Sequence, residues 1–273
     1  MNIKTTISLK YFLAILLLVS LNACDSDSFI FNSNDENVDN TNFVAKESFQ
    51  FEVDVQNQTL VRLDAINGNV EIIGSANATS VTITGERRVG SESTADAEEY
   101  LQKLEVRVTE TASMVLVETI QPKENHGRNF VVDYKITLPE NLELDADNIN
   151  GNMTIENIRN DVDVDNVNGN IDLKDILGNA SANVVNGLIR AKVTMPQNGN
   201  IGMGTVNGNI ELEIPQNTSA DFSANVTNGA IQISNLTLQN EVATTRSLRG
   251  TLGNGQGTIK TNTVNGNINT TGF

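Results

Sequence analysis

The chain has 273 residues and a formal net charge of −16 at pH 7, with no tryptophan and 4% aromatic residues. Because it has no cluster of lysine and arginine side chains that could neutralise a phosphate backbone, this composition excludes a nucleic-acid-binding protein. The single cysteine, Cys24, excludes an internal disulfide.

The first 23 residues have the features of a secretory signal peptide. Lys4 and Lys10 precede an apolar run from Tyr11 to Leu21. As a helix this run would rise about 16 Å, roughly half the thickness of a hydrocarbon core, so a transmembrane helix is not predicted. We therefore predict that residues 1–23 are a signal peptide that is removed from the mature protein.

Cys24 follows Leu21-Asn22-Ala23, an arrangement that resembles the lipobox of bacterial lipoproteins. Asn22 departs from the small residue usually found at its position. The alternative is an ordinary buried cysteine, but the preceding apolar run and the following polar segment favour a lipidation site. We predict that acyl chains on Cys24 anchor the protein to a membrane.

Residues 24–44 are predicted to be a disordered acidic tether, because they contain few apolar side chains that could be buried. Acidic residues directly after a lipidated cysteine resemble both retention signals and surface-export signals. We predict a lipid-anchored protein of the cell envelope, at the outer membrane or cell surface rather than the inner membrane. The choice between surface and periplasm stays open.

Residues 45–273 are predicted to form one β-strand-repeat domain, in which residues 45–145 supply N-terminal strands and a cap. Within this part, the stretch from Ser93 to Leu104 is rich in Ala, Glu and Leu and is predicted to form one short helix. Asn67-Gly68 is read as an isolated copy of the motif that dominates residues 146–273.

That motif is an Asn-Gly pair with apolar residues at fixed offsets, and it occurs seven times. Gly adopts a positive φ without strain and Asn tolerates one, so each pair suits a corner of the chain. The predicted corner residues are Asn67, Gly68, Asn150, Gly151, Asn168, Gly169, Asn186, Gly187, Asn207, Gly208, Asn228, Gly229, Asn265 and Gly266.

The spacing of the pairs indicates stacked rungs. From Asn150 onward the spacings are 18, 18, 21 and 21 residues, followed by a gap of 37. The last gap divides as 21 plus 16 if Leu248 to Leu252 is a degenerate copy in which Arg249 replaces the asparagine. Periods of this size are typical of solenoids. We therefore predict an all-β fold, a β-solenoid with rungs of about 18 to 21 residues.

Stacking the copies in register predicts which side chains face the core. One inward column would contain Met153, Ile171, Ile189, Ile210, Ile231, Leu252 and Ile268. An outward column would contain Thr154, Asp172, Arg190, Glu211, Gln232 and Asn269. The alternative is a meander of hairpins, since Asn-Gly also favours two-residue turns. That alternative would place Asp165 opposite Asp172, an unfavourable pair, so we favour the solenoid.

No catalytic, metal or cofactor site is predicted. The only histidine, His126, lies in a polar segment and is interpreted as a solvated turn residue.

Asp161, Asp163, Asp165 and Asp172 are the candidates for carboxylate chemistry on a polysaccharide. Strict alternation of aspartate and valine over residues 161–165 instead favours a strand with one solvated face. These four also match part of a calcium-loop template, but the glycine and final glutamate of that template are missing. Calcium binding between acidic rungs is thus only a minor hypothesis.

The rungs, the Leu-Pro-Glu-Asn segment from Leu138 and the closing segment from Leu252 to Ile268 resemble the bacterial putative-adhesin family of β-strand repeats. The resemblance covers about residues 48–273. It implies a β-helix-like domain of unknown function, often in envelope proteins and sometimes tied to envelope-stress sensing.

The predicted function is that of a non-catalytic envelope lipoprotein whose solenoid binds a glycan or an envelope protein. One alternative is a stress-sensing or regulatory scaffold that docks to a membrane partner. The least favoured alternative is a polysaccharide-active β-helix enzyme, because aromatic platforms and histidines are scarce.

Overall fold

The computed structural model describes residues 42–273. The predicted signal peptide, Cys24 and most of the predicted tether lie outside these residues. The first strand begins at Phe43, so Phe43 and Val44 belong to a strand and not to the tether.

The described chain forms strands and one short helix. The strands of the first part are β1 (Phe43–Asp54), β2 (Leu60–Asp64), β3 (Val70–Ser75), β4 (Ser80–Ser91), β5 (Glu105–Glu110), β6 (Met114–Ile120), β7 (Asn129–Pro139), β8 (Glu143–Asn150), β9 (Met153–Glu156) and β10 (Val162–Asn168). The others are β11 (Ile171–Ile176), β12 (Ala180–Asn186), β13 (Ile189–Val193), β14 (Asn200–Asn207), β15 (Ile210–Ile214), β16 (Ala220–Asn228), β17 (Ile231–Ser234), β18 (Leu238–Ala243), β19 (Ser247–Leu252), β20 (Gly257–Asn265) and β21 (Ile268–Gly272).

The predicted short helix is confirmed as α1 (Thr94–Leu101), which follows β4. Ser93 caps it, because the Ser93 side chain accepts a hydrogen bond of 3.2 Å from the Asp96 amide. Two bonds of 2.6 Å from Arg128 to the Asp96 carboxylate join the helix to the start of β7.

The strands form two sheets. Sheet A has ten strands in the order β1-β4-β7-β3-β9-β11-β13-β15-β21-β17. Sheet B has eleven strands in the order β18-β19-β16-β20-β14-β12-β10-β8-β2-β6-β5. Each regular rung adds a strand to sheet B, turns at an Asn-Gly pair and then adds a strand to sheet A.

Neighbouring rungs pair in parallel, as a solenoid requires and a hairpin meander does not. Asp165 lies beside Asp147 and Asn183 in sheet B, whereas Asp172 lies beside Thr154 and Arg190 in sheet A. The prediction of an all-β, solenoid-like fold with one short helix is confirmed, and the hairpin alternative is wrong.

The distance along the chain between neighbouring rungs is not uniform. Corner asparagines that touch are 18 or 21 residues apart between Asn150 and Asn207. Elsewhere the touching pairs are 83, 58 and 37 residues apart. Asn67 lies directly beside Asn150 in a parallel bridge, so the reading of Asn67 as an isolated motif is wrong.

The order of the last rungs differs from the prediction. The rung formed by β20 and β21 packs between two rungs that precede it in the sequence. On one side is the rung formed by β14 and β15, and on the other is the rung formed by β16 and β17. The predicted degenerate copy is wrong, because β19 runs antiparallel to β16 and places Leu252 beside Ala220. The 37-residue gap instead contains the β18–β19 hairpin, which extends sheet B beyond β16.

The core lies between the two sheets and follows their alternation of inward and outward side chains. Met153, Ile171, Ile189, Ile210 and Ile268 are all fully buried and stack in one inward column, as predicted. Ile231 continues the column but is only half-buried, since β17 is the last strand of sheet A. Helix α1 packs on β1 and β4 at one end, and the β18–β19 hairpin covers the edge of β16 at the other.

Candidate functional site

The seven predicted corner asparagines form a single ladder. Their spatial order is Asn67, Asn150, Asn168, Asn186, Asn207, Asn265 and Asn228. Each asparagine after Asn67 donates a hydrogen bond from Nδ2 to Oδ1 of the asparagine before it in this order, at distances between 2.6 and 2.9 Å. At one end, Asn67 Nδ2 donates to the Phe130 carbonyl at 3.1 Å. A carbonyl can only accept, so this contact sets the direction of the whole ladder.

The corner glycines are required by close backbone contacts. Gly151 and Gly169 have φ values of 132° and 129°. A Cβ on Gly169 would lie 2.1 Å from the Gly151 carbonyl oxygen, well inside van der Waals contact. Gly187 does not have a positive φ, but a Cβ there would lie 2.0 Å from the Gly169 carbonyl oxygen. The glycines thus allow successive corners to stack.

The outer face of sheet A is neutralised by ion pairs between its own side chains. Lys135 lies 3.0 Å from Glu71, and Lys174 lies 2.5 Å from Glu156. Further along, Arg190 contacts Glu211 at 2.9 Å and Asp172 at 3.6 Å. Opposite charges on adjacent strands are favourable neighbours, so this face needs no partner to balance its charge.

The outer face of sheet B is different, because carboxylates lie beside carboxylates. We call the cluster of Asp64, Asp145, Asp147, Asp163 and Asp165 the acidic face. Asp145 pairs in register with Asp163, and Asp147 pairs with both Asp165 and Asp64. Like charges directly opposite each other on neighbouring strands are unfavourable.

Arg62 is the cation within this cluster. Its Nε lies 2.9 Å from Asp64 Oδ1, its Nη1 lies 3.1 Å from Asp145 Oδ2, and its Nη2 lies 3.1 Å from Asp147 Oδ2. One guanidinium therefore serves three carboxylates. Asp165 accepts a hydrogen bond of 2.9 Å from Asn183 Nδ2 on β12.

Asp147 is a buried carboxyl group of the acidic face with a raised pKa. Its residue is 9% exposed, and its Oδ1 is buried with no hydrogen-bond partner. Burial raises the pKa of Asp147 to about 7, with further contributions from Asp165 and Asp145, while Arg62 partly offsets them. Asp165, beside it, is only 2% exposed.

A groove of about 540 Å³ runs from the acidic face across sheet B. Asp145 and Asp163 line one part of it, Ser181 and Gly202 the middle, and Lys260 the far part. A Cβ on Gly202 would meet no atom within 4 Å, so the surface there is open. The groove offers carboxylate, hydroxyl and ammonium groups to a polar ligand.

The four aspartates singled out from the sequence do not converge. Asp163 and Asp165 belong to the acidic face, but Asp161 lies in the preceding turn and accepts bonds of 2.9 and 3.0 Å from Asn179 Nδ2. Asp172 lies in sheet A, so the calcium-loop interpretation is wrong. In residues 42–273 no group of three or more His, Cys, Asp or Glu side chains is placed to hold a metal ion.

The remaining sequence candidates occupy separate places. His126 is exposed in the turn before β7, with Nε2 3.2 Å from a Glu124 carboxylate oxygen. Cys24 lies outside the described residues. The one helix of the described part is too short and too polar to span a bilayer.

Sequence reasoning missed Arg62, Asp64, Asp145 and Asp147. A signal for two of them was present, because a spacing of 18 residues places Asp145 beside Asp163 and Asp147 beside Asp165. Arg62 and Asp64 come from a rung whose distance along the chain follows no short period.

Residues 33–271 match the family described as Toastrack DUF4097. A putative cell adhesion protein from Clostridium sporogenes is similar in structure, with 16% identity, coverage of 83% of this chain and 100% of that chain, and a TM-score of 0.45. A putative adhesin from Bacteroides fragilis has 14% identity, coverage of 83% and 98%, and a TM-score of 0.36. A putative lipid binding protein from Parabacteroides distasonis has 11% identity, coverage of 82% and 96%, and a TM-score of 0.23.

None of the curated proteins has significant sequence similarity to this chain. The predicted membership in a bacterial family of unknown function is confirmed by the family match alone. With the match spanning most of its length, the chain belongs to the Toastrack DUF4097 family, a bacterial family of unknown function.

Proposed function

We propose that this protein is a non-catalytic envelope lipoprotein whose solenoid serves adhesion or ligand binding through the outer face of sheet B. The observation that carries the proposal is the acidic face, where carboxylates pair with carboxylates on adjacent strands. When both groups of a pair are ionised, the pair opposes folding by an amount on the order of 0.2–1 kcal/mol. Sheet A avoids this cost by alternating its charges, so stability alone does not account for the arrangement on sheet B.

The groove suggests the chemical class of the ligand. It presents carboxylates at one part and the Lys260 ammonium at the other, with small polar side chains between them. Such a surface suits a polar, repetitive ligand such as a glycan or an extended segment of an envelope protein. A nucleic acid is not expected, because the carboxylates would repel its phosphates.

Binding can be measured against a panel of neutral, amino-sugar and uronate polysaccharides. The test variant combines Asp163→Asn with Lys260→Ala, which changes both charged parts of the groove. The matched control is Asp172→Asn, which removes one carboxylate from sheet A. We expect binding of at least one polysaccharide class to be lost in the test variant and kept in the control. Equal binding by all three chains would contradict a role for the groove.

The proposed anchoring and location are tested by protease treatment of intact cells followed by immunoblotting, with Cys24→Ala as the anchoring control. Digestion of the wild-type protein while a periplasmic marker survives would support adhesion or glycan capture at the surface. Protection until the outer membrane is broken would instead support the stress-sensing or scaffold alternative.

One observation bears on the enzyme alternative. A carboxyl group with a raised pKa, such as Asp147, is what a general acid requires. However, Asp147 and Asp165 are only 9% and 2% exposed, and Asp147 Oδ1 is buried, so a substrate would have little access to either carboxyl group. An assay for reducing sugars and unsaturated uronates over the same panel decides the matter, since release above a boiled control would contradict a purely binding function.

A further inference from the structure

We propose that Asp147 is a proton-binding site of the native solenoid, and that loss of this proton at alkaline pH weakens the pairing of strand β8 with strands β2 and β10. This inference concerns the folded state itself and does not depend on the proposed function. It is carried by the placement of charges on three adjacent strands and by one buried carboxylate oxygen.

The charged groups that face Asp147 come from every strand beside it. Arg62 and Asp64 face it from β2, and Asp145 precedes it on the same face of β8. Asp163 and Asp165 face it from β10. On β12, the next strand along, the corresponding residue is the neutral Asn183, which donates to Asp165. One strand beyond β2, Glu118 on β6 adds a further carboxylate beside Asp64.

Arg62 does not balance this charge. Its three nitrogens each contact a different carboxylate, so its single positive charge is shared by Asp64, Asp145 and Asp147. With all carboxyl groups ionised, the acidic face would hold five negative charges against one positive charge. Carboxylates that share a site at close range do not all ionise, and one of them keeps a proton.

The structure indicates which carboxyl group keeps it. Asp145 and Asp147 both contact Arg62 through Oδ2, and both have a buried Oδ1. Asp145 lies in register with Arg62 itself, whereas Asp147 lies in register between two carboxylates, Asp64 and Asp165, and its Oδ1 accepts no hydrogen bond. A negative charge on a buried oxygen without a hydrogen-bond partner is costly. A proton removes that charge and turns Oδ1 into a hydrogen-bond donor, and the Asp165 carboxylate lies in register on the next strand as an acceptor. The raised pKa of Asp147, about 7, agrees with this geometry.

The sign of the effect on stability follows from linkage. An unfolded aspartate has a pKa of about 3.9, whereas Asp147 in the folded chain has a pKa of about 7. Between these two values the native state holds a proton that the unfolded state has released. The free energy of unfolding therefore falls as the pH rises through this window, and the stabilising contribution is lost above it.

The test uses the full chain purified in a mild non-ionic detergent. Asp147→Asn mimics the protonated side chain in shape and charge, and Asp172→Asn is the matched control on sheet A. From about pH 5.5 to about pH 8.5 we expect the melting temperature of the wild type and of the control to fall by several degrees more than that of Asp147→Asn. The same slope in all three chains would overturn the proposal.

A second measurement does not depend on that variant being folded. With aspartate labelled with ¹³C at the carboxyl carbon, the wild-type chain should show one carboxyl resonance that titrates with a midpoint of about 7. In Asp165→Asn, which removes the neighbouring negative charge, this midpoint should move to lower pH. If every aspartate resonance of the folded wild type titrates below about pH 5, the proposal is wrong.

Discussion

The corner glycines show how single residues make the solenoid possible. At Gly169 the chain has a φ of 129°, and a side chain would collide with the backbone of the neighbouring corner. Gly202 lies within strand β14 of sheet B, and a Cβ there would meet no atom within 4 Å. The two glycines therefore form a matched pair for mutagenesis.

We predict that Gly169→Ala lowers the free energy of unfolding by about 3 kcal/mol, through left-handed backbone strain together with the collision with the Gly151 carbonyl. Gly202→Ala should change it by no more than about 0.5 kcal/mol. Urea unfolding followed by circular dichroism measures both. Similar losses for the two variants would mean that the corners are not tightly stacked.

The asparagine ladder gives a second prediction for single residues. Asn186 donates to Asn168 Oδ1 at 2.9 Å and accepts from Asn207 Nδ2 at 2.8 Å. Asn186→Ala loses both bonds and should cost about 1 kcal/mol, since each bond is solvent-exposed. Asn186→Asp keeps an acceptor but places a carboxylate oxygen against the Asn168 oxygen, so it should cost more. Equal unfolding midpoints for the two variants would count against a directional ladder.

Residue patterns alone predicted the corners but not the acidic face as a unit. Six of the seven corner glycines have a positive φ, as the pattern predicts, whereas none of the seven corner asparagines does, so the asparagines are selected by their side-chain ladder and not by their backbone geometry. The environment of Asp147 depends on Arg62, which lies 85 residues away along the chain, and on the burial of one oxygen. No local pattern reports such a contact.

Among the elements, the alternation within strands and the parallel pairing of rungs were predictable, whereas the order of the rungs was not. All rungs present similar apolar columns, so the rung of β20 and β21 can pack between two earlier rungs as well as after the last one. The β18–β19 hairpin lacks the Asn-Gly motif of the rungs, and its antiparallel pairing with β16 is a tertiary property that motif spacing does not predict.

The hairpin should act as a cap and not as a dispensable loop. Leu252 on β19 is 2% exposed and packs beside β16, whereas Val242 on β18 is 63% exposed. Leu252→Ala should lower the free energy of unfolding by about 2–5 kcal/mol, because it opens a cavity at the end of the core. Val242→Ala should change it by no more than about 0.5 kcal/mol. A small effect at Leu252, seen by thermal unfolding, would show that the core does not need this cap.

For the whole molecule, the main feature is the contrast between two outer faces built on the same rungs. Sheet A alternates acids and bases, while sheet B places carboxylates beside carboxylates next to a polar groove. A surface that serves binding often reduces the stability of the fold. The central claim is therefore that the acidic face opposes folding and is present for another role.

The measurement that tests this claim most directly is the free energy of unfolding of Asp163→Asn beside that of Asp172→Asn, at about pH 8.5, where Asp147 is ionised. We expect Asp163→Asn to stabilise the chain by about 0.5 kcal/mol, because it removes a like charge beside Asp145. Asp172→Asn should destabilise it by about 0.3 kcal/mol, because it removes a partner of Arg190. If Asp163→Asn destabilises the chain as Asp172→Asn does, the acidic face is a structural element and the proposed binding surface loses its main support.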